Sequence, residues 1–191
     1  PANYRPEDDG AELFIKACRM VTERPEVTAG MRLPWDADAN DARRAAMREW
    51  IDDNQEAMRL ADEAMRKPYC WFKGETAENF ESICAPGALD APRLYRVMLW
   101  RGLMKAYDGD AKGGINDIIM AGNMGKCFGP RPTWLEWDIG AGWAARTCDI
   151  LADTLMHSHL PADDLATLAR DIEQMVGQWD PIEWPLALRK L

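Results

Sequence analysis

The stretch from Leu94 to Phe128 constrains the fold of this chain more than any other. Leu94, Val97, Trp100, Leu103, Met104 and Tyr107 recur at helical spacing, the turn Asp108-Gly109-Asp110 follows, and Ile115, Ile118 and Ile119 resume the same period. The pattern predicts a helix, a tight turn and a second helix. Two helices of this kind cannot bury both apolar faces against each other alone. They must stack on further hairpins, and arrays of stacked hairpins commonly serve binding.

The flanking sequence supplies those further helices. A first helix starts near Asp8 or Asp9, carries Leu13, Phe14, Ala17, Cys18 and Val21 on one face, and is closed by Pro25. After a loop with Gly30 and Pro34, Asp36 or Asp38 can cap a long second helix from about Asn40 to Lys67, ending before Pro68. Its inner face reads Ala46, Trp50, Asn54, Ala57, Ala61, Ala64 and Met65, thin enough for close helix approach. Arg48 and Asp52 form an i,i+4 pair on its solvated side.

Residues 69–86 lack periodicity and hold the aromatic cluster Tyr69, Trp71, Phe72 and Phe80, which reads as a long loop crossing the core. Helix three runs from Pro92 to Tyr107 and helix four from Ala111 to about Lys126, although Gly113, Gly114, Gly122 and Gly125 weaken the latter. Pro132 opens a fifth helix with Trp134 or Leu135, Ile139, Trp143, Ile150, Leu151 and Leu155 inward, where Gly140 and Gly142 permit tight contact. It ends near His157 to His159. Pro161, Asp163 and Asp164 open a sixth, with Leu165, Leu168, Ala169, Ile172, Met175 and Val176 as its inner face. No period-2 run exceeds four residues, so strands are not expected.

Composition narrows the class. A chain of 191 residues suits a single domain spanning 1–191. With 47% hydrophobic and 29% charged residues it is not a disordered protein. No stretch approaches the ~18 uninterrupted apolar residues of a membrane span. The net charge of -9 repels phosphate backbones, so nucleic acid is not an expected partner and a basic one is. The five cysteines, Cys18, Cys70, Cys84, Cys127 and Cys148, form no C-x-x-C pair and read mainly as buried small hydrophobes, with one or two disulfides across helices left open. The start at Pro1 and the apolar end at Leu186, Leu188 and Leu191 suggest one part of a longer chain.

The run Trp100-Arg-Gly-Leu103-Met104-Lys-Ala-Tyr107 resembles the first helix of a tetratricopeptide repeat. The second helix departs from that pattern at Gly114 and Asn116, and no 34-residue period continues, so the resemblance covers a single degenerate repeat. A broader resemblance, over about residues 37 to 191, is to uncharacterised all-helical bacterial proteins of a type common in planctomycetes. It rests on Trp50-Ile-Asp-Asp-Asn54-Gln-Glu-Ala57, Pro68-Tyr69-Cys70-Trp71-Phe72, Gly109-Asp110 ahead of Asp117-Ile118, and Trp179-Asp180-Pro181. The resemblance implies fold and placement rather than chemistry: members often carry an N-terminal membrane-anchoring helix, and this chain would be the non-membrane part.

Three constellations bear on chemistry. Asp52-Asp53-x-x-Glu56 matches the carboxylate pattern by which helical isoprenoid synthases hold Mg²⁺ and a diphosphate. Its counterpart fails, because Met120 and Met124 follow Asn116-Asp117 where a hydroxyl residue and Glu are required. Glu75-x-x-Glu78 with Glu81 lacks the partner motif of a nucleotide pyrophosphatase. His157 and His159, the only histidines, can converge in a turn, but zinc or iron needs further ligands, and a helix C-terminus already explains them. There is no G-x-S-x-G elbow and no phosphate-cradling glycine loop.

Eleven methionines and nine tryptophans are the compositional oddity. Trp134 and Trp137 cannot both share a narrow face with Trp143, so Trp71, Arg131, Trp134 and Trp137 are the candidate binding residues. The expectation is an all-α protein of about six helices in stacked antiparallel hairpins, tetratricopeptide-like or an irregular bundle. It is read as a non-enzymatic interaction or scaffold domain for a protein or peptide, with no catalytic residue and no cofactor. The alternative is a small metal-dependent hydrolase or diphosphate-binding enzyme using Asp52, Asp53 and Glu56, or a metal held by His157 and His159.

Overall fold

The computed structural model describes residues 5–68, 70, 90–128 and 134–177, with the backbone alone at 126, 128 and 134–137. Among the described residues seven α-helices follow in chain order: α1 (Ala11–Met20), α2 (Asp41–Asp53), α3 (Gln55–Arg66), α4 (Ala91–Tyr107), α5 (Ala111–Gly122), α6 (Trp134–Met156) and α7 (Ala162–Gly177). Short 3-10 turns occupy Pro6–Asp8, Glu26–Thr28 and Asn123–Phe128. Among the described residues there is no strand, and the fold is all-α.

The expected hairpin is α4 and α5. Asp110 caps α5 by accepting from the Gly113 N–H at 2.9 Å, and Gly109 turns the chain at φ +102°, a left-handed conformation that favours glycine. The glycines that argued against a helix here set its packing. A Cβ on Gly102 would lie 2.6 Å from the Gly114 carbonyl oxygen, and one on Gly114 would lie 2.5 Å from the Gly102 oxygen. The two backbones therefore touch, and α5 is helical because tertiary contact outweighs the ~1 kcal/mol propensity cost of each glycine.

Helix α4 is the hub, touching α1, α2, α3, α5 and α6. Besides the expected stripe it buries Tyr95, Met98 and Leu99, so it is apolar almost all round, as a central helix must be. Tyr107 departs from expectation: it is 40% exposed, with the Arg44 guanidinium 5.1 Å above its ring.

The remaining helices extend the antiparallel order. Lys112 pairs with Asp164 and Gly122 abuts Met175, so α5 and α7 run parallel, with α6 packed against both. On the other side α1 runs antiparallel to α3, Gly10 against Ala64 at one end and Thr22 against Asn54 at the other.

The long second helix is two helices. Asn54 breaks it at φ -102° and ψ 11°, with its N–H turned to the Ile51 carbonyl. Its side chain is buried and fully engaged: Oδ1 accepts from the Thr22 N–H at 2.9 Å, and Nδ2 donates to Thr22 Oγ1 at 2.8 Å and to the Trp50 carbonyl at 2.7 Å. An amide that ties the i-4 carbonyl and a distant loop competes with the helical ladder and bends it.

Smaller corrections have similar causes. Asn40, not Asp36 or Asp38, caps α2 by accepting from the Arg43 N–H; Asp36 instead closes the preceding loop on Leu33, and Asp38 pairs with Arg43. Helix α1 stops at Met20, ahead of Pro25, although Val21 is still buried. A Cβ on Gly142 would meet nothing within 4 Å, so that glycine permits no tight contact. On α7 only Leu168 and Met175 are buried, whereas Leu165 is 44% and Val176 47% exposed. Cys18, Cys70 and Cys148 are free thiols, and Cys18, Cys70 and Cys127 are buried. Residues 69 and 71–86 of the expected core-crossing loop, Cys84 among them, and the terminal Leu186, Leu188 and Leu191 lie outside the described residues.

Candidate functional site

The bend at Asn54 opens a groove of about 750 Å³ where α2 and α3 cross α4. Ile51, Met58 and Met104 line it with apolar surface, and Met58 and Met104 are themselves buried. Around them stand Arg48, Asp52, Gln55, Glu56, Arg59, Asp62, Arg101, Lys105 and Asp108. The arrangement is an apolar strip with a charged rim, open along its length.

Each cation of the rim has an assigned carboxylate. Arg48 reaches across to Asp108 at 2.6 Å instead of pairing with Asp52 along its own helix. The hydrogen bond from Asp108 raises the Arg48 pKa. Arg59 donates twice to Glu56 at 2.8 Å and once to Glu63 at 3.1 Å, and that contact lowers the Glu56 pKa.

At the inner end Arg101, largely buried, lies between Asp62 at 3.0 Å and Asp117 at 2.9 Å, and Lys105 adds a second cation to Asp117 at 2.7 Å. Burial pulls the Arg101 pKa down, but the hydrogen bond to Asp62 and the charges of Asp117 and Asp62 outweigh it, so the net shift is upward. This cluster ties α3, α4 and α5 together and fixes one wall of the groove.

Four cations, Arg48, Arg59, Arg101 and Lys105, thus line the groove with four carboxylates, Asp52, Glu56, Asp62 and Asp108, while Glu63 and Asp117 pair with those cations from outside the lining. Asp52 accepts the Gln55 amide at 3.0 Å and, among the described residues, pairs with no cation. The lining is therefore balanced in formal charge, and Asp52 is its carboxylate without a cationic partner among the described residues.

The sequence candidates are distributed unevenly over this geometry. Asp52 and Glu56 both line the groove; Asp53 is exposed and does not. His157 hydrogen-bonds through Nδ1 to the Asp153 carbonyl and stacks on Trp35 at 4.7 Å, while His159 is exposed two residues on. Among the described residues, no group of three or more His, Cys, Asp or Glu is placed to hold a metal ion. Trp134 and Trp137 sit in the first turn of α6, and Trp71 and Arg131 lie outside the described residues. Sequence reasoning missed Met58, Arg101, Met104, Lys105 and Asp108 as groove residues. Nothing local marks them, because their neighbourhood exists only once α2 and α3 lie on α4.

Fold and groove define a class: an all-α protein of antiparallel helix pairs with an open, charged cleft, and no described helix long and apolar enough to cross a membrane. No protein-family model, no curated protein and no solved structure matches this chain.

Proposed function

We propose that this chain is a non-enzymatic protein-interaction or scaffold domain, tetratricopeptide-like in its helix pairing, that binds a basic amphipathic peptide segment of a partner protein. The observation that carries the reading is the groove. Its half-buried Ile51, backed by the buried Met58 and Met104, can take an apolar anchor. Its Asp52, which has no cationic partner among the described residues, favours Lys or Arg on the incoming segment, as does the net charge of -9. The resemblance to uncharacterised all-helical bacterial proteins belongs to the same reading and adds no chemistry.

The test is fluorescence anisotropy with a panel of amphipathic helical peptides of basic, neutral and acidic character. Basic members are expected to bind, and Ile51→Glu and Asp52→Lys to weaken binding about tenfold or more, since each tenfold is about 1.4 kcal/mol. Basic peptides that fail to bind, or that bind Ile51→Glu and wild type alike, defeat the reading.

A diphosphate–Mg²⁺ site is the second reading, favoured by Asp52 and Glu56 lining one groove. The Arg59 fork on Glu56 opposes it, since a metal would have to displace that cation. A saturable rise in melting temperature with Mg²⁺ and diphosphate, lost in Asp52→Asn, would put it first.

A further inference from the structure

Helix α7 divides its apolar residues between two faces. Leu168 and Met175, seven apart, are buried against the rest of the molecule. Leu165, Ala169, Ile172 and Val176 form a second stripe at spacings of four, three and four; the first, second and last are exposed, and Ile172 is half-buried at the inward edge of the stripe, where it also packs against the core. That spacing is the d-a-d-a order of a coiled-coil seam, so the last of the described helices carries a helix-pairing stripe.

The stripe is complementary to itself. With two copies of α7 antiparallel about a two-fold axis between Arg170 and Asp171, Leu165 of one copy meets Val176 of the other, and Ala169 meets Ile172. Each layer sets a larger side chain against a smaller one. The same register brings Arg170 beside Glu173 of the other copy, twice by symmetry. Neither residue has an ion-pair partner among the described residues, and Arg170 donates only to Thr167 Oγ1, at 3.2 Å. A contact in which residue i meets j and j meets i is what a closed two-fold dimer requires. We propose that the outer seam of α7 pairs antiparallel with the same seam of a second copy of this chain, making a homodimer that presents two grooves. At 16 residues, about 24 Å, the seam is short, so the dimer is a weak one that forms as protein concentration rises.

Sedimentation equilibrium of the full chain over a concentration series tests this. Wild type is expected to pass from monomer to dimer. Leu165→Glu/Val176→Glu, both at exposed positions, should weaken the dimer by on the order of 100-fold with helicity by circular dichroism unchanged. Arg170→Glu and Glu173→Arg should each weaken it several-fold, and the double exchange should restore it, because the pair is reconstituted with its signs reversed. A chain that stays monomeric up to about 1 mM overturns the proposal, since the seam is then covered or unused. A dimer indifferent to Leu165→Glu/Val176→Glu overturns it equally, because the contact then lies elsewhere. Peptide binding to the groove is read separately, so either proposal can fail without the other.

Discussion

Replacing Gly114 by alanine puts the contact between α4 and α5 to a quantitative test. In an unconstrained helix interior the change stabilises by about 1 kcal/mol, because alanine loses less backbone entropy. Here the new methyl would lie 2.5 Å from the Gly102 oxygen, 2.6 Å from the Ala106 nitrogen and 2.9 Å from Ala106 Cβ. Ordinary contacts need roughly 3.5 Å, so the two helices must part by about 1 Å. Two of the three obstacles are backbone atoms and cannot rotate away. The cost therefore falls near the upper end of the ~1–3 kcal/mol range for overpacking, leaving a net loss of about 2 kcal/mol. At roughly 2–4 °C per kcal/mol for a chain of this size, the melting temperature should fall by about 4–8 °C. Gly142→Ala is the control: that position is interior to α6 with open space around it, so it should gain about 1 kcal/mol and rise by a few degrees. Urea titration of both variants, with equal m-values as the check on two-state unfolding, measures the difference. If Gly114→Ala stabilises as much as Gly142→Ala, the backbone contact is not there and the account of α5 fails.

Three further outcomes are expected. Asn54→Ala should cost about 2–3 kcal/mol in urea unfolding, because the Thr22 N–H at the end of α1 loses its buried acceptor; a loss below about 0.5 kcal/mol would show that the bend does not depend on this side chain. Arg101→Met should cost about 3 kcal/mol by leaving Asp62 and Asp117 facing each other with only Lys105 to compensate, and adding Asp62→Asn and Asp117→Asn should recover most of it, whereas an undiminished loss in the triple variant would assign the effect to packing. Burial, reinforced by the nearby Asp90 charge, pushes the Cys18 thiol from 9.0 up to about 12. The folded state then holds a proton that the unfolded state releases, so this contribution is intact below pH 9 and is lost as pH rises towards 12. The slope is about 1.4 kcal/mol per pH unit, and Cys18→Ala should flatten that part of the stability–pH curve.

Periodicity alone carried the class and most of the element order. The α4–α5 hairpin, α6 and α7 lie close to where their apolar spacing placed them, because an apolar repeat of 3.6 residues gathers on one side of the chain only when the chain is helical. The inner face of the second helix was also legible, Trp50, Asn54, Ala57, Ala61 and Ala64 all being buried. Sequence could not show that Asn54 breaks that helix. The break depends on Thr22, thirty-two residues away, whose backbone and hydroxyl occupy the Asn54 amide. Nor could it turn Arg48 from Asp52 to Asp108: helical spacing offers the local pair, and the distant one appears only when α2 lies across α4.

The groove belongs wholly to the second kind of information. Met58, Arg101, Met104 and Lys105 are ordinary helix residues in the sequence, and tertiary packing gathers them beside Asp52 and Glu56. On α7 the apolar spacing was read as one inner face, yet the structure divides it, since α5 and α6 cover the side that carries Leu168, Met175 and part of Ile172 and leave Leu165, Ala169 and Val176 exposed. Local repeat determines which residues a helix can bury. The neighbours that a particular packing supplies decide which of them are buried, and which are left facing outward to meet something else.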